Sequence, residues 1–245
     1  MDSETEKADI IVLEADGKID STHGYGYPIQ QRFSEHDIHA VIVHFAENTA
    51  VLDELPKKPL VISGGMTEVT ADIDWIRDSK GWFSDLIKEN QSLDTEDRQP
   101  VFGICFGAQL LIEAYTKGSV RFLEDPEIGV SRVKLDRPEH PVFEGISDEF
   151  DAYSFHYNQI WSDEVIILSQ HKHMGHHFIQ AYEINEANVM GVQFHPEFKQ
   201  EEMKTLFTTY KDIIADFGFD LEPTINNLPK IKYPYRILLN FFNSF

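Results

Sequence analysis

Residues 100–111 read PVFGICFGAQLL. The apolar run at residues 101–104 has the character of a buried strand, and it passes through Cys105 into a segment with apolar residues at Leu110, Leu111 and Ala114, a helical spacing. Gly103 and Gly107 flank Cys105 at i−2 and i+2, leaving room for a sharp, strained strand-to-helix turn that lifts a nucleophile above a sheet. That turn sets Cys105 at a helix N-terminus, where unpaired N–H groups and the helix dipole stabilise a thiolate. Alone, the segment also describes a small buried cysteine ending a strand.

A second segment supplies what the first lacks. Residues 190–198 read MGVQFHPEF, an apolar strand ending in His-Pro-Glu. Residues i and i+2 of an extended strand point to one side, so His195 and Glu197 can meet there, with Pro196 keeping the chain from turning helical. His195 would relay protons for Cys105 while Glu197 fixes its tautomer and stabilises the imidazolium. A surface His and Glu at a strand end is what this segment alone would allow. The two segments together define a nucleophile, a base and an orienting carboxylate.

Around these segments the pattern is strand then helix, repeated. Apolar runs at residues 10–13, 41–45 and 60–62 join 101–104 as expected buried parallel strands, and helices are expected at 73–90, interrupted at Gly81, and 106–116. From residue 128 strands follow closely, at 128–135, 150–156, 165–169, 178–183 and 189–194, with turns at Gly145 and at Met174 to Gly175. The expected fold is α/β: an open, mainly parallel, flavodoxin-like sheet with helices on both faces and an antiparallel portion in the C-terminal half. A helix at 200–217, a polar stretch at 222–234 and a short terminal helix at 236–242 complete it. The Gly-Tyr-Gly-Tyr-Pro stretch at 24–28 reads as a surface loop, since it lacks the spacing of a phosphate loop.

A length of 245 residues suits one domain. The formal charge of −21 repels nucleic-acid phosphates and anionic membranes; it makes a solvated surface or an acidic face for a basic partner. The first residues, MDSETEKADI, have neither a basic start nor an apolar stretch, and a single cysteine suits a reducing compartment, so the expected location is the cytoplasm. The run HKHMGHH at 171–177 reads as a hairpin tip with no carboxylate or cysteine nearby to complete a metal ligand set. Trp75 and Trp82, on the apolar side of an expected helix, read as core.

GICFGAQ and GVQFHPE resemble, in order, the nucleophile and His-Glu motifs of class I glutamine amidotransferases, especially the group resembling the glutaminase domain of GMP synthetase. VISGGMTEV at 61–69 resembles the glycine-pair loop of that family, and EIG at 127–129 with HPVFEGI at 140–146 its middle segment. The resemblance covers residues 10–198. It implies the triad Cys105, His195 and Glu197, an oxyanion hole from the backbone N–H groups of Gly65 and Phe106, and substrate contacts at Gln109 and His156. Asn158 departs from the pattern, standing where an acidic residue is usual, and Ala108 replaces a bulkier residue. Residues 199–234 intervene before the final helix as an insertion, with the character of a lid, a substrate-selecting wall, a docking element or added packing.

The resemblance implies hydrolysis of glutamine through a cysteine thioester, without metal or organic cofactor, and delivery of ammonia to a separate synthetase. The first alternative is a free-standing γ-glutamyl hydrolase or peptidase. The second is a binding or regulatory protein that keeps the fold without turnover.

Overall fold

The computed structural model describes residues 4–173, 176–232 and 235–245. In chain order the elements are α1 (Glu4–Lys7), β1 (Ile10–Glu14), α2 (Gly26–Ser34), β2 (Ala40–His44), β3 (Leu60–Ile62), α3 (Asp74–Ser92), β4 (Val101–Ile104) and α4 (Phe106–Tyr115). The later half holds β5 (Val120–Lys134), β6 (Glu149–Ile160), β7 (Ile166–His173), β8 (His176–Ile184), β9 (Val189–Val192), α5 (Gln200–Asp216), α6 (Glu222–Asn227) and α7 (Arg236–Asn243).

Among the described residues the strands form one sheet in the order β2-β1-β3-β4-β9-β8-β6-β5, with β7 paired on β8. Strands β2, β1, β3, β4 and β9 run parallel. Strands β5 to β8 join antiparallel to one another and to β9, giving the expected antiparallel portion. The uninterrupted apolar runs follow from burial on both faces. Ile11, Leu13 and Ile62 pack with Phe83 of α3 and Leu110 of α4, while Ile10, Val12 and Phe102 pack with Phe33 of α2 and Phe241 of α7. Successive strand side chains alternate faces, so each residue of such a run needs an apolar partner above or below. A third cluster joins α5, through Phe207, Tyr210 and Ile214, to Tyr25 and Phe155.

Four expectations change in detail. The 24–28 stretch is no surface loop: it opens α2, and Tyr25 is buried. Pro28 is tolerated in the first helical turn, the Gly26 N–H donates to Glu14 Oε2 at 2.7 Å, and a side chain at Gly24 would collide with that carboxylate. Helix α3 runs unbroken through Gly81, where an added Cβ would meet open space, so the glycine weakens the helix without ending it. The polar stretch after residue 221 carries the short helix α6. The histidine run lies largely in β7 and β8; His171 pairs with Phe178 and Lys172 with His177, while Met174 and Gly175, read as the turn, lie outside the described residues. Glu127, distant in sequence, meets His171 at 2.8 Å, the carboxylate absent from its sequence neighbourhood.

Candidate active site

Cys105 has φ +49° and ψ −103°, outside the regions an L-residue ordinarily occupies, and stands at the N-terminus of α4. Such a conformation costs about 1–3 kcal/mol and persists only where its surroundings over-determine it. They do so here. The Cys105 N–H donates to the Val192 carbonyl at 2.8 Å, and the Gln109 N–H closes the first helical turn on the Cys105 carbonyl at 3.0 Å. A Cβ on Gly103 would lie 2.6 Å from the Gly107 and Ala108 backbone, and one on Gly107 would lie 2.5 Å from the Ile62 carbonyl oxygen. Only glycine permits that approach, which is why both flank the turn.

β9 lies beside β4, and the chain leaving it brings His195 and Glu197 to the same end of the sheet. His195 is locked by its own N–H, which donates to the Tyr153 carbonyl at 2.8 Å. Its Nδ1 meets Glu197 Oε1 at 2.7 Å, and both side chains are buried. Nε2 is buried without a hydrogen-bond partner among the described residues. Burial opposes a charged ring, but the Glu197 carboxylate and the neighbouring Cys105 outweigh it and raise the His195 pKa to about 10.

Gly65 follows β3, on the other side of β4. Its loop is tied at several points: the Ser63 N–H donates to the Leu13 carbonyl and the Gly107 N–H to the Ser63 carbonyl, and the Thr67 N–H donates to Asp16 Oδ1 at 3.1 Å. Phe106 is the first residue of α4, where N–H groups have no partner inside the helix.

These elements surround a cavity of about 400 Å³. The loop after β3 contributes Gly65 to Glu68; the elbow contributes Cys105, Phe106 and Gln109. The irregular stretch of β5 between Phe122 and Glu127 contributes Phe122, Glu124 and Pro126, and β6 contributes Phe155 to Asn158. The end of α5 and the chain beyond it supply Ile213, Ile214, Phe217 and Phe219. The structure thus gathers Cys105, Gly65, Phe106, Gln109 and His156 on one cavity, with His195 and Glu197 buried nearby. His156 has both ring nitrogens engaged, Nε2 with Glu127 at 2.9 Å and Nδ1 with the Asn158 carbonyl at 2.8 Å. Asn158, buried in the lining, keeps its Oδ1 without a partner among the described residues.

Three participants were not found from sequence. Gln193 lies within GVQFHPE; its Nε2 approaches Cys105 Sγ at 3.6 Å and its Oε1 accepts from Gln109 at 3.0 Å, so it links the thiol to the pocket. Its place two residues before His195, on the same side of the extended chain, was the available signal. Tyr25 packs beside the His195 ring, 6.5 Å between centroids, against Gly64, hidden by its glycine-rich surroundings. Glu127 bridges His156 and His171 and accepts from Gln180, a cluster from four strands that no local pattern announces.

The family model described as glutamine amidotransferase class-I matches residues 18–213. The chain is similar to a subunit of the glutamine-hydrolyzing GMP synthase of Methanococcus maripaludis, 27% identical over 224 residues that cover 86% of this chain and 99% of that one. It is also similar to the imidazole glycerol phosphate synthase subunit HisH of Methanosarcina barkeri, 29% identical over 160 residues, 56% of this chain and 77% of that one. A solved glutamine amidotransferase from Thermotoga maritima shares the fold, with a TM-score of 0.68 at 17% identity, covering 96% of this chain and 97% of that one. With the matched residues spanning the loops after β3, β4 and β9, the chain belongs to the class-I glutamine amidotransferase family.

Proposed function

We propose that this chain hydrolyses the side-chain amide of glutamine or of a closely related γ-glutamyl compound, with Cys105 as nucleophile, His195 as acid and base, and Glu197 orienting it. One observation carries this reading: the strained Cys105 and the buried His195–Glu197 pair stand at the ends of adjacent strands beside one cavity. The Cys105 thiolate adds to the δ-carbonyl carbon, and the oxyanion formed accepts hydrogen bonds from the Gly65 and Phe106 N–H groups. The His195 imidazolium gives its Nε2 proton to the nitrogen as the C–N bond breaks, leaving a γ-glutamyl thioester. Water then adds to the thioester, His195 takes its proton, and collapse releases glutamate and the thiolate. Gln109 and Asn158 hold the amino-acid end; Asn158 Oδ1, without a partner among the described residues, accepts from the substrate's α-ammonium group. His156 shapes the wall, its nitrogens already engaged.

On glutamine the leaving group is ammonia. Two similar proteins are named as subunits of synthases, which supports transfer of that ammonia to a separate synthetase. The cavity's volume and apolar wall favour a second reading, a free-standing γ-glutamyl hydrolase. Glutamate release from glutamine and from γ-glutamyl amides, measured beside Cys105→Ala, tests the proposal: turnover by the wild type and none by the variant is expected. Undiminished release by Cys105→Ala would refute it. Turnover of glutamine only on adding a synthetase selects the first version, and turnover of γ-glutamyl amides by the chain alone selects the second.

A further inference from the structure

We infer that Ser63 is a positioning residue for the reaction, its hydroxyl fixing the direction in which the Gly65 N–H points. This rests on the proposed cleavage at Cys105, in which that N–H receives the oxyanion, and it adds a residue to that site.

Ser63 is the first residue beyond β3, and it is fully buried. Its hydroxyl oxygen accepts from the Ala15 N–H at 3.0 Å and donates to the Gly64 carbonyl at 2.7 Å. A hydroxyl has one proton, which is committed here to that carbonyl. The Gly64 carbonyl and the Gly65 N–H belong to one peptide unit. The unit is planar and trans, so its C=O and N–H point in opposite directions and holding one aims the other. With the carbonyl turned toward Ser63 Oγ, the Gly65 N–H points away from it, and among the described residues no hydrogen bond uses that N–H. Gly65 lines the cavity with Cys105 and Phe106.

Two consecutive glycines put little steric restraint on the peptide between them. The packing requires both. A Cβ on Gly64 would lie 2.9 Å from the Tyr25 ring and 3.0 Å from His195 Cε1, and one on Gly65 would lie 3.0 Å from Asp16 Oδ1 and 3.3 Å from Phe106 Cγ. The peptide thus runs between the His195 and Phe106 rings, where side chains of its own cannot restrain it, and the Ser63 hydrogen bond supplies the restraint. The rest of the loop is held without that hydroxyl. Backbone bonds join the Ser63 N–H to the Leu13 carbonyl and the Gly107 N–H to the Ser63 carbonyl. Beyond the glycines, the Asp16 carboxylate accepts from the Thr67 N–H at 3.1 Å and from the Thr67 hydroxyl at 2.5 Å. Removing the hydroxyl therefore leaves the loop anchored on both sides and frees the peptide between the anchors. The Ala15 N–H loses its acceptor as well, so the test must separate oxyanion stabilisation from folding.

The test compares the full chain as wild type, Ser63→Ala and Ser63→Thr in three readouts: hydrolysis of glutamine and γ-glutamyl amides, affinity for the aldehyde analogue of glutamine, and alkylation of Cys105 by iodoacetamide. The thiolate adds to the aldehyde carbon, the C=O electron pair moves to oxygen, and the hemithioacetal oxygen takes the place of the oxyanion, as in a transition-state analogue. Iodoacetamide forms a C–S bond with loss of iodide and makes no oxyanion. Ser63→Ala is expected to lower kcat about tenfold to a hundredfold, less than the loss of a whole oxyanion donor, with KM nearly unchanged. The aldehyde is expected to weaken by the same factor, while alkylation by iodoacetamide holds its wild-type rate; Ser63→Thr, which keeps the hydroxyl, is expected to stay near wild type. A Ser63→Ala variant with wild-type kcat and aldehyde affinity overturns the inference. So does one whose alkylation by iodoacetamide falls as far as its kcat, the mark of a general loss of structure. Either result leaves γ-glutamyl cleavage by Cys105 standing. A wild type that neither hydrolyses these compounds nor binds the aldehyde overturns the underlying reading as well.

Discussion

His195 carries the most information of any single residue in the site. Its Nδ1 is held by Glu197 and its Nε2 is left without a partner among the described residues, an arrangement that suits the acid-base role proposed for it. Its pKa, raised to about 10 against the pull of burial, defines a pH dependence with a fixed sign. In the proposed reaction the imidazolium form, which would protonate the leaving nitrogen, is lost as pH rises through about 10. Amide hydrolysis is therefore expected to fall as pH passes that value, whereas alkylation of Cys105, which needs no general acid, is not. Glu197→Gln removes a charge that raises the pKa and is expected to move the hydrolysis limb to lower pH. Parallel pH profiles of hydrolysis and alkylation check both statements; a shared alkaline limb would contradict them. Cys105, His195 and Glu197 were readable because each sits in a local pattern: glycines around Cys105, and proline between His195 and Glu197. Gln193 and Tyr25 were not, since their places in the site arise only when β9, α4 and the start of α2 are brought together.

At the scale of elements, the elbow joining β4 to α4 depends on backbone approach. Gly107 lies against the Ile62 carbonyl of β3, where a Cβ would come within 2.5 Å of the oxygen. Gly107→Ala is expected to destabilise the protein by about 1–3 kcal/mol, the cost of overpacking a rigid interior, and to disturb the Cys105 geometry. Chemical denaturation with an activity measurement checks this, and unchanged stability would contradict it. The strands of the parallel sheet were legible because burial on both faces makes them uninterrupted apolar runs. Helix α2 was not, because its start relies on a carboxylate from β1 to satisfy the Gly26 N–H, a tertiary contact that overrides the loop-like glycines. For the opposite reason Gly81 misleads: a helix tolerates one exposed glycine when the rest of its apolar face is packed, as in α3.

Across the whole molecule, the parallel half positions Cys105, His195 and Glu197, and the antiparallel half closes the cavity. Glu127 holds that second half together, binding His156 of β6, His171 of β7 and Gln180 of β8. Burial pushes its carboxyl pKa up, but the hydrogen bonds and charges of His156 and His171 prevail and hold it well below its ordinary 4.5. A depressed carboxylate contributes stability that is present above about 4.5 and lost as pH falls toward the folded value. Glu127→Gln is expected to cost about 3 kcal/mol near neutral pH, the penalty for breaking a buried pair, and to reduce the loss of stability on acidification. Denaturant midpoints of both proteins between neutral and acid pH check this; parallel curves would contradict it. Among the described residues no helix is long and apolar enough to cross a membrane.

The central claim, that Cys105 attacks a γ-glutamyl carbonyl, is tested most directly by covalent labelling. The chain has one cysteine, so a glutamine-like chloroketone followed by peptide mapping gives an unambiguous answer. The expected result is one label per chain, located on Cys105, protection by glutamine or a γ-glutamyl amide, and simultaneous loss of glutamate release. Hydrolysis that continues in the fully labelled protein, or a Cys105 that stays unlabelled while substrate is turned over, would contradict it.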